Sequence, residues 1–269
     1  MGPLGLRDNI RYRMPVAFGP APSPRQRPDG KAWVDPRARI RVVNVSFLTD
    51  ASALQRLLPA SMTLDGDPIV TVEFMYITEL QWLAGRGYNT LGVRFPVRYR
   101  TATREYKGPF LSVLWENKAD PIITGREELG YAKLFCDIPA PRQVYGREHY
   151  EAHWEGHRFL EMCIEGLSPS VPGTGDVDGT LHYRYVPRVG CPGTAEAEGV
   201  VLSPPTVPEW IDHATGQGRV RFVRSTWEQL PTLSHIVNTL ADLPVVRSLG
   251  ATVSNLRCDT SLHLHRAIE

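Results

Sequence analysis

Four lysines, Lys31, Lys107, Lys118 and Lys133, stand among the 30 lysines and arginines of this chain. Arginine is therefore the default cation here, and each lysine asks for a reason. Lys133 lies in Tyr131-Ala132-Lys133-Leu134-Phe135-Cys136, a run that reads as entering a buried strand. Burial disfavours the charged ammonium and leaves a free amine, which attacks a ketone where an exposed ammonium does not. The plainer alternative is a strand-edge lysine whose stem packs on apolar neighbours while its head reaches water.

A second residue with chemistry to offer is Glu73. The stretch from Pro68 to Ile77 alternates Val70, Val72, Phe74 and Tyr76 on one face with Ile69, Thr71, Glu73 and Met75 on the other. A carboxylate in the middle of such a strand is costly unless it is paired, hydrogen-bonded or neutral, and a raised pKa would suit a general acid or base. A buried ion pair with one of the many arginines explains it equally well. Arg39 and Arg41 point the same way in a period-two strand, and each alone reads as solvated surface. Three histidines, His149, His153 and His157, recur every four residues and would share one face of a helix. Gly146 and Gly156 weaken that helix, and no metalloprotease-type motif accompanies it, so no metal site is assigned. His263 and His265 read as a polar tail.

The elements that must position these groups are mostly strands. Residues 39–47 are β-branched and partly alternating. Thr49 or Asp50 can cap a short helix bearing Leu54, Leu57 and Leu58, with Pro59 beyond it. Gly85, Gly87 and Gly92 mark turns among the extended segments 93–99 and 110–115. Short alternating runs continue through residues 180–186, 200–202 and 219–226, and a helix packs its apolar stripe within 228–240. The glycines near 173–175 and 216–218 lack the strand-to-helix context of a phosphate loop and read as turns. No fixed-period repeat is visible. Residues 1–30 are rich in proline and arginine and form an arm or lid, leaving residues 31–269 as a single domain.

Composition narrows the partners. A formal charge of +1 with both signs interspersed leaves no footprint for nucleic acid or an anionic membrane surface. The apolar run at residues 68–77 is too short to span a bilayer and carries Glu73. No secretory leader is legible, so a soluble cytoplasmic protein is expected. The four cysteines, Cys136, Cys163, Cys191 and Cys258, form no CxxC pair and read as reduced thiols.

Gly125-Arg126-Glu127, five further residues and then Lys133 resembles the active-site signature of the acetoacetate decarboxylase superfamily. Flanking text agrees: Thr49-Asp50 with Pro59, Trp115-Glu116-Asn117 with Asp120-Pro121, and Leu240-Ala241-Asp242-Leu243-Pro244-Val245. The resemblance runs over nearly the whole chain. It implies an α+β fold, predominantly antiparallel, whose sheet is a curled or closed β-barrel with few peripheral helices. It also implies a cofactor-independent lyase that holds a small keto acid as a Lys133 imine, with Glu73 as the strand glutamate approaching the lysine, and a homo-oligomer.

Two departures bear on the reaction. Aligning Tyr88, Gly92 and Pro96 places Thr90 where the decarboxylases carry a second active-site glutamate, and Leu134 where they carry a second lysine. Burial, or Arg126, would then have to keep Lys133 neutral. The expected site comprises Lys133 and Glu73 as catalytic groups, with Arg39, Arg41, Tyr88, Thr90 and Arg126 binding substrate. The expected reaction is decarboxylation; a Schiff-base aldolase-dehydratase or cyclase on a 2-oxo acid is the alternative, and a non-catalytic small-ligand barrel the reading from another class.

Overall fold

The β-branched run after the arm is the first long strand of a sheet that takes in most of the chain. The computed structural model describes residues 5–34, 37–173, 175–259 and 262–269. In chain order the elements begin with β1 (Ala38–Leu48), α1 (Ala51–Gln55), β2 (Met62–Leu64), β3 (Ile69–Leu80), β4 (Arg86–Arg100) and β5 (Glu105–Glu116). Next come α2 (Ala119–Thr124), β6 (Lys133–Phe135), β7 (Arg142–Val144), β8 (Arg147–Trp154) and β9 (His157–Pro169). The chain finishes with β10 (Thr180–Pro187), β11 (Ala195–Ser203), β12 (Glu209–Phe222), α3 (Ser234–Ala241), β13 (Arg247–Cys258) and β14 (Arg266–Ile268).

The strands pair in the order β14-β11-β10-β5-β4-β3-β1-β13-β12-β9-β8-β7, with β2 on β4 and β6 on β5. Nearly every pairing is antiparallel; β10 and β6 run parallel to β5. The path has two distinct ends, so the sheet is open rather than sealed by a closing ladder. The few helices are short, as expected for this fold class. Asp50 caps α1 by accepting from the Ala53 amide at 2.7 Å.

Period-two alternation on β1, β3 and β4 divides the sheet into two covered faces. Val43, Val45, Phe47, Val70, Val72, Phe74, Leu91, Val93 and Phe95 enter the main core. The opposite face carries Ala38, Ile40, Ile77 and Leu80 in a smaller cluster with Met75, Trp82 and Tyr88 packed against it. Glu73 and Thr90 belong to this second face, the one on which the site is built.

β5 would miss that face without an irregularity. Against β4, Val93 pairs with Val113 but Arg94 pairs with Leu111, leaving Ser112 as the extra residue of a bulge. Its hydroxyl donates to the Val93 carbonyl at 3.0 Å. Phe110, Val113 and Trp115 therefore enter the core, whereas Leu111, Leu114 and Glu116 turn to the second face. Strict alternation from Phe110 would have pointed Glu116 into the core.

Several local expectations are corrected. The segment with His149, His153 and His157 is the β8–β9 hairpin, with Trp154 opposite His157, so no helical face gathers the imidazoles. No group of three or more metal-ligating side chains occurs among the described residues. Gly87 and Gly92 lie inside β4, and Gly216 and Gly218 inside a bulged β12, rather than at turns. The helix expected within 228–240 begins at Ser234, after turns that contain Pro231. Among the described residues, no helix is long and apolar enough to cross a membrane.

Candidate active site

Lys133 opens β6, where its amide neighbours are fixed by parallel pairing to β5: Lys133 is level with Leu114, and the Leu114 amide donates to the Ala132 carbonyl at 3.0 Å. The ladders extend this row, since Leu114 is level with Gly92 and Gly92 with Glu73. Glu73, Gly92, Leu114 and Lys133 thus occupy one row across four strands. The next row holds Met75, Thr90, Glu116 and Phe135. Two rows of one sheet face therefore carry both acids, the lysine and Thr90.

The lysine is buried, with 6% of its surface exposed. Its Nζ lies 2.8 Å from Glu116 Oε1 and donates to the Pro121 carbonyl at 3.0 Å. The Tyr131 ring centroid is 5.2 Å from Nζ. Space for the lysine stem comes from Gly125, where a Cβ would fall 2.3 Å from Lys133 Cε and 2.7 Å from Nζ. Gly125 begins a π-helical turn, Gly125–Leu129, that follows α2 directly. Gly130, at φ +76°, ends it in the left-handed conformation, and the amides of Gly130 and Tyr131 both return to the Gly125 carbonyl. The glycines of the motif thus shape the wall against which the lysine lies.

Burial raises the Glu116 carboxyl above the ordinary range, and the adjacent Lys133 only partly opposes it. A carboxyl with raised proton affinity, 2.8 Å from an amine, can take up an ammonium proton and free the nitrogen lone pair. The second oxygen, Oε2, is buried without a hydrogen-bond partner, as is the Thr90 hydroxyl directly across the ladder. These groups leave polar valence for a bound molecule or water. Glu116 thus stands level with Thr90 on the neighbouring strand.

Glu73 is also buried, and its carboxyl is raised by desolvation against the pull of Arg94. Arg94 Nη2 stands 2.6 Å from Glu73 Oε1, although that oxygen receives no well-directed hydrogen bond. Glu73 and Lys133 share a cavity of about 480 Å³, but the partner of the lysine is Glu116 and that of Glu73 is Arg94. Tyr88 and Thr90 line the same cavity, and burial raises the Tyr88 hydroxyl.

The expected arginines stand elsewhere. Ile40, between Arg39 and Arg41, takes the cavity face of β1, so both arginines point to the opposite one. Arg41 is bound there by Glu148 at 2.7 Å, and Arg39 is exposed. Arg126 is also exposed and donates to the Lys133 backbone carbonyl at 2.8 Å, so it braces the strand from outside the cavity. The guanidinium-bearing residues that do line the cavity are Arg94 and Arg25. The signal for Arg94 was its even spacing from Thr90 on β4, which shares a face by parity. For Arg25, on the irregular arm, no periodic signal existed.

The arm forms one wall, with Pro24, Arg25, Ala32 and Trp33 lining the cavity. Arg13 donates to Thr124 and lies 3.3 Å from Glu128, and Arg25 donates to the Glu128 carbonyl at 3.3 Å. Behind Tyr131 sits a polar cluster that sequence reading missed. The Tyr131 hydroxyl lies 2.8 Å from His265 Nε2 and 3.0 Å from Ser203 Oγ, which lies 2.8 Å from His182 Nε2. Burial holds His182 well below the ordinary histidine range. His265 is thus part of an internal network rather than a polar tail, and the side chain of His263 lies outside the described residues.

A family model described as acetoacetate decarboxylase (ADC) matches residues 13–266. The chain is 32% identical over 229 residues to an acetoacetate decarboxylase of Clostridium beijerinckii, covering 78% of this chain and 79% of that one. A 100-residue stretch is 33% identical to the acetoacetate decarboxylase of Clostridium botulinum (strain Eklund 17B / Type B), covering 35% of this chain and 38% of the relative. Among solved structures, an acetoacetate decarboxylase superposes with a TM-score of 0.70 at 16% identity over 98% of both chains. The enduracididine biosynthesis enzyme MppR, complexed with the condensation product of pyruvate and imidazole 4-carboxaldehyde, gives 0.64 at 18% identity, covering 93% of this chain and 97% of that one. These structural likenesses speak to the fold alone. The family match, by contrast, runs from within the arm, through the bulged strand and the lysine, to β14, and on that coverage the chain belongs to the acetoacetate decarboxylase family, whose members are lyases.

Proposed function

We propose that the protein is a Schiff-base lyase that binds a keto acid at Lys133 and cleaves a carbon–carbon bond with loss of CO2. The observation that carries this reading is the buried Lys133 Nζ held 2.8 Å from Glu116 on the wall of the cavity. Glu116 takes a proton from the ammonium, and the free amine adds to the ketone carbon. The same carboxyl then returns a proton as water leaves, giving a protonated imine. The imine accepts the electron pair of the breaking bond as CO2 departs; reprotonation of the enamine carbon and hydrolysis release the ketone and restore Lys133.

Arg94 is the cation assigned to the substrate carboxylate, in place of Arg39, Arg41 and Arg126, because it lines the cavity and they do not. Glu73, beside it, disfavours a second carboxylate as charge and so favours its loss. Tyr88 and Thr90 line the reacting end. A second reading, aldol condensation and dehydration on a 2-oxo acid, uses the same imine and is favoured by the neutral Thr90. Assembly into a homo-oligomer is also proposed, on the support of two sheet ends and of exposed Trp210, Ile211, Val245 and Val246; light scattering of the purified protein tests it.

The test is borohydride reduction with a panel of 3-oxo and 2-oxo acids, followed by peptide mapping over the four lysines. A substrate-dependent mass gain on Lys133, absent in Lys133→Ala, is expected, together with CO2 release from a 3-oxo acid. Imine trapping without CO2 but with a condensed product would favour the aldol reading. An intact ligand held beside an unmodified lysine would replace both with a binding module.

A further inference from the structure

The reacting groups occupy one end of a space much larger than a four-carbon keto acid needs. An apolar cavity of about 150 Å³ accommodates a six-carbon ring. The space here is about 480 Å³, some three times as large. Glu73, Arg94, Glu116 and Lys133 are gathered at the rows of Glu73 and Glu116, and Arg25 and Asp259 also line the cavity. From Glu73 toward the end of β3 the same face carries Met75, Ile77 and Leu80, and the cavity continues to Trp82 in the turn that follows. The four residue steps from Glu73 to Ile77 span roughly 13 Å.

Two indoles, those of Trp33 and Trp82, wall this extension. Trp33, brought by the arm, already satisfies its indole N–H by donating to the Ser23 carbonyl at 2.9 Å. Trp82 packs edge-on against Tyr88, their ring centroids 6.4 Å apart. The rows of Glu73 and Glu116 offer an amine, two carboxyls and the Arg94 guanidinium, whereas the stretch toward Trp82 is mainly methylene and indole surface, with Gln81 beside Trp82 and with Asp259 and Arg25 elsewhere on the lining. Such polarity fits a molecule built the same way.

Resting on the Schiff-base reading, we infer that the substrate is a keto acid carrying an apolar substituent of about six or more carbons, linear or aromatic, on the far side of the ketone from the carboxylate. The carboxylate and ketone lie at the Arg94 and Lys133 end. The substituent runs along β3 toward Trp82 and is covered by Trp33. Ile77 and Trp82 are then specificity-determining residues, and acetoacetate is a poor substrate because it leaves this space to water.

Two series measured on the full-length protein test this. The first is kcat/KM for 3-oxo acids of four to ten carbons and for 3-oxo-3-phenylpropanoate. The second is calorimetric binding of saturated acids from butanoate to octanoate, which cannot form an imine. Each added methylene should tighten binding of the saturated acids roughly fourfold until the cavity is filled, and kcat/KM should rise in parallel. Ile77→Trp, which fills the tail space, should reverse the preference toward the shorter acids. A profile flat or falling with chain length in both series would overturn the inference while leaving a Lys133 adduct with acetoacetate intact. Chain-length gain with no borohydride adduct would support the tail pocket and instead remove the imine.

Discussion

In the proposed mechanism Lys133 works with Glu116, which stands 2.8 Å from it, whereas Glu73 is tied to Arg94. This pairing predicts the pH profile. Glu116 must be ionised to accept the lysine proton, and burial raises its carboxyl above the ordinary value of 4.5. The base is therefore lost at a higher pH than an exposed glutamate would lose it. The acid limb of kcat/KM should have its midpoint above 4.5, and Glu116→Gln should remove that limb and lower kcat by roughly 10²- to 10⁴-fold. Steady-state kinetics across the acid range check both. The arginines separate in the same assay. Arg94→Ala should raise KM at least about tenfold, by loss of a charge-assisted contact, whereas Arg39→Ala, exposed on the opposite face, should leave KM within about twofold.

At the scale of elements, the lysine is held by a parallel pairing to β5, a bulge within β5 and the π-helical turn after α2. The bulge at Ser112 brings Glu116 to the cavity, and the turn supplies Gly125 as the surface against which the lysine stem rests. Gly125 has φ −65°, which any residue adopts, so Gly125→Ala tests the contact free of backbone strain. Alanine would ordinarily stabilise a helical position by about 1 kcal/mol. Here its methyl would meet Cδ and Cε of Lys133 at 2.4 and 2.3 Å. The variant should lose about 1–3 kcal/mol by overpacking, and borohydride trapping should fall at least tenfold. Calorimetric unfolding and peptide mapping measure the two effects separately.

Across the whole molecule, the cavity has one wall from the sheet, one from the α2 turn and one from the irregular arm. The arm is attached through the Arg13–Glu128 pair, both of whose side chains are largely buried, and through Arg25. A double-mutant cycle on Arg13→Ala and Glu128→Ala should give a coupling energy of about 1–2 kcal/mol. Arg25 and Trp33 line the cavity, so a bound carboxylate should slow tryptic cleavage after Arg25, and Arg13→Ala should accelerate it. Time-resolved digestion followed by mass spectrometry reads both directions.

The sequence by itself determined the local and periodic features. Apolar alternation identified the long strands, Thr49-Asp50 announced a helix cap, and a lysine in apolar surroundings marked itself as unusual because burying a charge is costly. Glu73 was legible by the same rule, and the ordered motifs around Gly125 identified the family. Tertiary structure decided which residues meet. A single extra residue in a strand reverses the facing of everything beyond it, and no local preference at Ser112 announced that reversal, so Glu116 was passed over. Parity correctly put Arg39 and Arg41 on a common face, but which face borders the cavity depends on strand order, fixed by pairings between residues far apart in the chain. The arm has no period, and its role as a wall of the site follows only from where its ion pairs hold it.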